Sequence, residues 1–263
     1  MAHPLVGQQP PYAEPIDVTE IAECYYYHTM DVPGHGVVTG EWDLRGGVDD
    51  YLGNENVSDK RVLEIGSASG FLCFEMERRG AEVVAYDLSP AQSWDVVPYA
   101  GLDVSDAIVQ RREHIARLNK SWWFNHRALG SRAHVVYGTV YAIPPSIGAI
   151  DLCTFGAILL HVRDPFLALQ NAAALRPATI VVTELAQRRS AQVLPASPAR
   201  RRSPLFLPNA AKREPRDAWW SFTPDSISNM LGILGYRTER VVRHAQLYAN
   251  RRTPMFTVVA RRV

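Results

Sequence analysis

The sequence has few cysteines, almost no net charge and no long apolar run. Three cysteines, Cys24, Cys73 and Cys153, occur among 263 residues, and no two of them have the spacing of a CxxC or zinc motif. A disulfide framework is therefore not expected, and the low cysteine content fits a reducing cytosol. The formal net charge is +1, so the chain as a whole has no electrostatic preference for nucleic acid.

The apolar stretches are too short to cross a membrane. The most apolar run covers residues 152–162, whereas a transmembrane helix needs about 20 residues. Residues 1–15 contain no basic patch followed by an apolar stretch, so no signal peptide is predicted. We therefore expect a soluble, cytoplasmic protein with no membrane partner and no bound metal. The sequence leaves the oligomeric state open.

Short β-rich segments alternate with helical patterns in the middle of the chain. Residues 70–79, 105–129 and 164–175 have helical spacing. Residues 16–30 are also predicted to be helical, and the chain is predicted to end with a helix capped by Thr223 and then a strand hairpin. The alternation predicts an α/β fold, in which helices cover both faces of a parallel sheet. Five segments are typical of its strands: RVLEIG, AEVVAYD, AHVVYGTV, IDLCTFGA and ATIVVTEL.

The strongest local signal is a glycine-rich turn between the first of these strands and the helix that follows. It contains Glu64, Gly66 and Gly70. Glycines let the backbone turn sharply and pass close to a ligand, and ligands of open α/β sheets bind at the carboxyl ends of the strands. The helix N-terminus behind Gly70 offers free N–H groups to a carboxylate.

An aspartate closes the second strand. The carboxylate of Asp87 can accept hydrogen bonds from both hydroxyls of a ribose; the alternative is a solvated surface aspartate. Dinucleotide enzymes use the same arrangement, but their fingerprint is GxGxxG. Here Gly66 and Gly70 flank Ala68, which does not match that fingerprint.

The segment VLEIGSASGFLCFEMERRGAEVVAYDLSP resembles motifs I and II of class I S-adenosylmethionine (SAM)-dependent methyltransferases. The resemblance implies a Rossmann-like fold, with a seven-stranded, mostly parallel sheet whose last strand is antiparallel. It places Glu64 and Gly66 near the methionine end of SAM, Asp87 at the ribose and the turn after the third strand, residues 138–140, at the adenine. Many relatives have an acidic residue where Thr139 stands. The residues assigned to the cofactor site are Glu64, Gly66, Ser67, Gly70, Asp87, Leu88, Thr139, Val140 and Phe155.

Three further segments resemble the group around the tRNA wobble-uridine carboxymethyltransferases. They are YYYHTMDVPGHGVVTGEWDLR, SWWFNHRALGSRAHVVYG and FGAILLHVRDP. Enzymes of that group use a carboxylated SAM, and the longer N-terminal helical region associated with them is missing here. Plain SAM is therefore the expected cofactor.

His161 is the candidate catalytic residue. It follows the fourth strand, where the acceptor is expected, and a near-neutral pKa suits a general base. The alternative is a structural histidine that packs against the cofactor loop. A base is needed only if the acceptor holds its proton at pH 7, because the cofactor supplies the electrophile.

Two groups of residues are candidates for binding the acceptor. The connector before the first strand forms either a lid that excludes water or a structural strap. The two tryptophans near the end of the loop after the fifth strand either line an acceptor pocket or anchor that loop. These candidates are His28, His35, Trp42 and Arg45 in the connector, and Trp219 and Trp220 in the loop.

The same loop is basic. Residues 187–217 contain eight arginines and lysines against two acidic residues. Such a charge run forms either a solvated surface or a cap that binds a phosphate, a carboxylate or RNA. The basic residues are Arg188, Arg189, Arg200, Arg201, Arg202, Lys212, Arg213 and Arg216.

Together these features predict an N-terminal extension and lid over residues 1–55. A SAM-dependent methyltransferase domain over residues 56–263 would follow, with the basic cap inserted at about 186–222. The expected reaction is methyl transfer to an O, N or C nucleophile of a small-molecule acceptor. One alternative is a tRNA-modifying (carboxy)methyltransferase, and another is a non-catalytic SAM-binding or regulatory protein.

Overall fold

The protein is built around one large twisted sheet. The structure, a computed structural model, describes residues 11–186 and 203–263. In these two ranges the sheet has eight strands, namely β3 (Trp42–Asp43), β4 (Arg61–Ile65), β5 (Glu82–Asp87), β6 (His134–Tyr137), β7 (Leu152–Gly156), β8 (Thr179–Leu185), β11 (Tyr236–Tyr248) and β12 (Arg251–Arg262). Their order across the sheet is β3-β11-β12-β8-β7-β4-β5-β6.

Strands β4 to β8 run parallel to one another, as the alternation of strands and helices predicts. The last strand, β12, is antiparallel to both of its neighbours, β8 and β11. The predicted α/β class, with its seven-stranded, mostly parallel sheet and its terminal hairpin, is confirmed. The eighth strand, β3, adds only two residues, which pair with the end of β11.

The helices begin and end where local signals place them. Helix α2 starts after Gly70, whose φ is +91°, and Gly80, at φ +93°, follows its end. The Asp164 side chain accepts the Leu167 N–H at the start of α4. Thr223 forms a capping box with Ser226 at the start of α5. The described α-helices are α1 (Val48–Tyr51), α2 (Phe71–Arg78), α3 (Ser105–Leu129), α4 (Pro165–Ala174) and α5 (Pro224–Ile233).

The core lies on both faces of the sheet, because successive strand residues point to opposite sides. On β4, Val62 belongs to a cluster that includes residues of α2, α3 and the N-terminal segment. Leu63, the next residue, belongs to a second cluster that includes residues of α4 and α5. Both side chains are fully buried. The two layers hold the strands in register, so the loops at their carboxyl ends meet on one edge.

The predicted helix over residues 16–30 is wrong. The segment contains a single 3-10 turn, Ile21–Glu23, and no α-helix. The backbone of Tyr25 bonds to α3: the Tyr25 N–H donates to Ser121 Oγ at 2.8 Å, and that hydroxyl donates to the Tyr25 carbonyl at 2.6 Å. These tertiary hydrogen bonds replace the bonds of a helix. A short hairpin follows, with strands β1 (Met30–Val32) and β2 (Gly36–Val38).

Only part of the predicted cap belongs to the described residues. Arg188, Arg189 and the run Arg200, Arg201 and Arg202 lie outside them, so the basic cap stays a prediction. Its described part contains a small antiparallel pair, β9 (Leu205–Phe206) with β10 (Trp220–Ser221). In the described ranges, no helix combines the length and the apolar character that crossing a membrane requires.

Candidate functional site

A cavity of about 200 Å³ opens at the carboxyl ends of the parallel strands. Loops after β4, β5, β6 and β7 contribute to its wall. Six of the residues that the sequence places at a cofactor or catalytic site line it, namely Gly66, Asp87, Leu88, Thr139, Val140 and His161. The structure also adds lining residues that the sequence did not indicate: Ser93, Trp94, Asp95, Tyr141, Ile158 and Val162.

Gly66 forms the floor of this cavity beside β4. Its φ is +82°, a left-handed conformation that favours glycine. A Cβ at this position would also overlap the side chain of Ile158, from the loop after β7. The Gly66 N–H donates to the Tyr86 carbonyl at 2.8 Å, which holds the turn against β5. A glycine is therefore required here for backbone conformation and for close packing.

The Asp87 carboxylate ties the glycine turn to the end of β5. Its Oδ2 accepts the Ala68 N–H at 2.7 Å and lies 3.5 Å from the Ser67 hydroxyl, while its Oδ1 accepts the Leu88 N–H at 2.7 Å. Burial raises the pKa of this carboxyl, and the three hydrogen bonds act in the opposite direction. A carboxylate has about four lone-pair sites, and these bonds leave one of them free on Oδ1, so Asp87 can still accept hydrogen bonding from a ligand.

Glu64 lies on β4 outside the main cavity. It lines a second, much smaller space of about 10 Å³ together with Phe155, Thr154 and Thr183. Its Oε2 is buried and has no hydrogen-bond partner among the described residues. Burial and, secondarily, the negative charge of Asp87 raise the pKa of Glu64 to about 8. The side chain is thus predominantly neutral at pH 7 in the free protein, and a buried cation beside it would favour its ionised form.

His161 ends the 3-10 turn Leu159–His161 and faces the cap segment. Its Nδ1 lies 2.5 Å from the backbone carbonyl of Asp217. A carbonyl only accepts hydrogen bonds, so Nδ1 carries the proton and Nε2 keeps a lone pair. Burial lowers the pKa of His161, and this outweighs the opposite effect of the Asp217 carbonyl. The ring is therefore neutral at pH 7, in the tautomer that a general base requires.

A second carboxylate stands in the main cavity. Asp95, in the loop after β5, accepts the Arg163 N–H at 2.7 Å through Oδ2, which also bonds to the Tyr141 hydroxyl. Tyr141 belongs to the loop after β6, and its hydroxyl accepts the Arg163 N–H at 2.8 Å. The residues come from three loops, and no periodic pattern covers the segment around Asp95, so the sequence offered no signal for this group.

The four connector residues do not line the cavity. His28 is buried, and its backbone N–H donates to Ser69 Oγ at 3.1 Å. Burial lowers the pKa of its imidazole to about 4. Trp42 is also buried and donates to the Tyr27 hydroxyl at 3.1 Å. His35 packs against Phe124 at the surface, and Arg45 pairs with Asp43 and Asp31. The connector touches the glycine turn through Ser69, while its role as a lid or a strap stays a prediction.

The two cap tryptophans lie just behind the cavity wall. Trp219 is buried, and its indole N–H donates to the Asp95 carbonyl at 2.7 Å. The Trp220 indole donates to the Arg163 carbonyl at 3.1 Å. Neither residue lines the cavity; both fasten the segment before α5 to loops that do. Of the remaining candidates, Ser67 and Gly70 are buried in the glycine turn.

Residues 43–241 match the family model described as a methyltransferase domain. One similar solved structure is a 1,6-didemethyltoxoflavin-N1-methyltransferase from Burkholderia thailandensis, crystallised with 1,6-didemethyltoxoflavin and S-adenosylhomocysteine. It has 15% identity and a TM-score of 0.54, and the match covers 84% of this chain and 78% of that one.

Two further solved structures are similar. A SAM-dependent methyltransferase from Methanosarcina mazei has 15% identity and a TM-score of 0.54, with 81% of this chain and 96% of that one covered. A SAM-dependent methyltransferase from Aquifex aeolicus has 14% identity and a TM-score of 0.50, with 82% and 90% covered. The sequence has no significant match among curated proteins.

Proposed function

This chain belongs to the methyltransferase-domain family and has the class I fold, and from that premise we propose that it transfers a methyl group from SAM to an O, N or C nucleophile of a small-molecule acceptor. The observation that carries the proposal is the cavity at the carboxyl ends of β4 to β7, with Asp87 and Gly66 in its wall. In open α/β sheets this edge is where ligands bind.

The cavity suits the adenosine part of SAM. Asp87 offers acceptor lone pairs to the ribose hydroxyls, and Leu88 and Val140 offer apolar surface to the adenine. Glu64 suits the methionine end, because its unpartnered buried oxygen can accept the α-ammonium group. When bound, SAM supplies a methyl group activated by its sulfonium.

His161 serves in this proposal as the base for an acceptor that holds its proton. The acceptor nucleophile would displace the activated methyl group of SAM, and the electron pair of the broken carbon–sulfur bond would stay on sulfur, so that S-adenosylhomocysteine leaves. The proton of the acceptor goes to Nε2 of His161, whose Nδ1–H remains on the Asp217 carbonyl. The cap therefore holds the imidazole in the productive tautomer.

We expect the purified protein to bind SAM and S-adenosylhomocysteine but not NAD. The reason is that Gly66 and Gly70 lack the GxGxxG spacing that places a pyrophosphate, whereas Glu64 and Asp87 suit the two ends of SAM. Titration calorimetry with each ligand is the measurement. Tight NAD binding without a SAM signal would exclude the proposed reaction.

The acceptor class needs a separate experiment. The net charge of +1 supports a small-molecule acceptor over tRNA, since RNA binding draws on a strong basic surface. The similar Burkholderia methyltransferase, which was crystallised with 1,6-didemethyltoxoflavin, supports the same class. Incubating the protein with tritiated SAM and unmodified bulk tRNA should give no saturable incorporation. Saturable labelling would overturn the small-molecule acceptor class. A carboxylated SAM found by mass spectrometry of the purified protein would instead support the resemblance to the tRNA wobble-uridine group.

Binding of S-adenosylhomocysteine should release a proton that comes from Glu64. With a pKa raised to about 8, Glu64 is mostly protonated at pH 7, and the incoming α-ammonium favours its ionised form. The release should therefore be largest near neutral pH and disappear above about pH 9, where Glu64 is already ionised. Calorimetry at pH 7 in phosphate and in Tris measures it, because the two buffers differ in ionisation heat.

The variant Glu64→Gln should release no proton and bind more weakly. Glu184→Gln is the matched control, since burial raises the pKa of Glu184 to about 8 as well. The Glu184 carboxylate instead accepts the Leu159 N–H at 2.9 Å, so its replacement should leave the proton release intact. Equal proton release from the wild type and Glu64→Gln would mean that Glu64 does not bind the methionine end of the ligand.

A further inference from the structure

We propose that Asp95 recognises the 6-amino group of the adenine ring and so determines the specificity of this site for an adenosine cofactor. The proposal rests on the proposed function, because it assumes that the main cavity holds the adenosine part of SAM. It assigns a role to a residue that no sequence motif singles out.

Two carboxylates line the cavity, one at the end of β5 and the other in the loop that follows it. Asp87 closes β5 beside the glycine turn, while Asp95 approaches from farther along the chain, next to Tyr141. The rest of the lining is largely apolar and includes Leu88, Val140 and Val162. A ring bound there has its faces against aliphatic side chains, and only its edges can reach a polar group.

Adenine carries its ribose on N9 and its amino group on C6, which belong to different rings of the purine. With the ribose hydroxyls on Asp87, the amino group is directed away from Asp87, towards the remaining wall of the cavity. This amino group is a hydrogen-bond donor and requires an acceptor there. Asp95 is the carboxylate among the described lining residues that remains for it.

The two oxygens of Asp95 have different partners. Oδ2 accepts the Arg163 N–H at 2.7 Å and the Tyr141 hydroxyl. Oδ1 makes no hydrogen bond to any residue in the described ranges and is not sealed inside the protein. The backbone is fixed as well, because Trp219 donates to the Asp95 carbonyl at 2.7 Å. Asp95 therefore presents one oriented oxygen whose acceptor capacity the protein leaves unused.

Tyr141 strengthens this arrangement. Burial and the bond to Asp95 raise the pKa of its hydroxyl well above the usual value, so it remains protonated and donates to the carboxylate. A carboxylate held by an N–H and an O–H donor keeps its geometry and forms a strong hydrogen bond to an amino group. A purely structural role for Asp95, as a clamp on the Arg163 loop, would not distinguish an amino from an oxo group on the ligand.

The test compares S-adenosylhomocysteine with S-inosylhomocysteine, which has an oxo group in place of the 6-amino group. The wild type should bind the adenosine compound about 10- to 100-fold more tightly, the range expected from a hydrogen bond to a charged group. In Asp95→Asn the amide can turn its NH₂ towards the oxo group, so the ratio of the two dissociation constants should approach one. Calorimetry measures the two dissociation constants in separate titrations of the same protein preparation.

Asp164→Asn is the matched control. Asp164 is a nearby exposed acid whose side chain caps α4 by accepting the Leu167 N–H at 2.9 Å, and asparagine caps a helix equally well. This variant removes one negative charge from the same region and should keep the wild-type ratio. Asp95→Ser, which also lacks the carboxylate, serves as the second variant if Asp95→Asn does not fold.

The outcomes separate this inference from the proposed function. A wild-type preference that disappears in Asp95→Asn and persists in Asp164→Asn supports the assignment. A ratio of dissociation constants near one in the wild type, or an unchanged ratio in Asp95→Asn, overturns the assignment of Asp95. Neither result contradicts the proposal that the protein binds SAM. If the wild type binds neither compound, both the assignment and the proposed function are overturned.

Discussion

Replacing His161 by asparagine should lower the turnover number by about 10²-fold or more. The structure supplies the reason: the Asp217 carbonyl occupies Nδ1 at 2.5 Å, so Nε2 is the nitrogen that can accept the acceptor's proton. Asparagine has no group that takes up a proton near pH 7. The SAM affinity should stay nearly constant, because the asparagine removes only one part of a wall that many residues form. Initial rates at saturating SAM and calorimetry on the same variant measure the two effects.

The pH profile provides an independent readout of the same residue. Burial lowers the pKa of His161, so the neutral ring persists below the usual histidine pKa, and the wild-type rate should fall only under about pH 6.5. The variant should lack this acid limb. His134→Asn is a suitable control, since His134 is exposed on β6 and should leave rate and profile unchanged. A His161→Asn enzyme at full speed, or one that no longer folds, would assign His161 a structural role.

Replacing Asp87 by alanine should weaken SAM binding by about 1.5–3 kcal/mol, which corresponds to roughly 10- to 100-fold in the dissociation constant. Two losses contribute. The ribose hydroxyls lose a charged acceptor, and the Ala68 and Leu88 N–H groups lose the carboxylate that holds them at 2.7 Å. Calorimetry with SAM and S-adenosylhomocysteine is the measurement.

Asp151 provides a control at the opposite edge of the sheet. Its carboxylate also accepts a backbone N–H, from Arg61 at 2.8 Å, but it precedes β7 and lies away from the cavity. Asp151→Ala should lower thermal stability without changing the affinity for SAM. Asp87→Ala with wild-type affinity would mean that this carboxylate only braces the glycine turn.

Local sequence patterns were sufficient for much of the fold. Helix α2 ends just before Gly80, and α5 begins after Thr223, with Pro224 as its first residue. Each of these residues acts on backbone groups within one turn of itself, so a local pattern is enough to predict these helix ends. The parallel strands were recognisable because buried strands are apolar and short. The glycine turn and Asp87 were predictable for the same reason: they sit at fixed positions relative to two such strands.

Local patterns failed where distant segments compete for the same backbone groups. Residues 16–30 have a helical composition, yet the Tyr25 backbone bonds to Ser121, 96 positions away along the chain. Helical spacing reports only on neighbours three or four positions apart, so it contains no information about such a partner. The outcome depends on which hydrogen bonds the packed chain can form.

The sequence by itself determined the sheet, the helix ends, the glycine turn and the identity of the acid after β5, since each depends on residues close together along the chain. Only the tertiary structure decided which side chains share the cavity. Asp95 meets Arg163 across 68 positions, and His161 meets the Asp217 carbonyl across 56. These contacts arise because parallel strands bring their carboxyl ends to one edge of the sheet, where loops of unrelated sequence position are packed against one another.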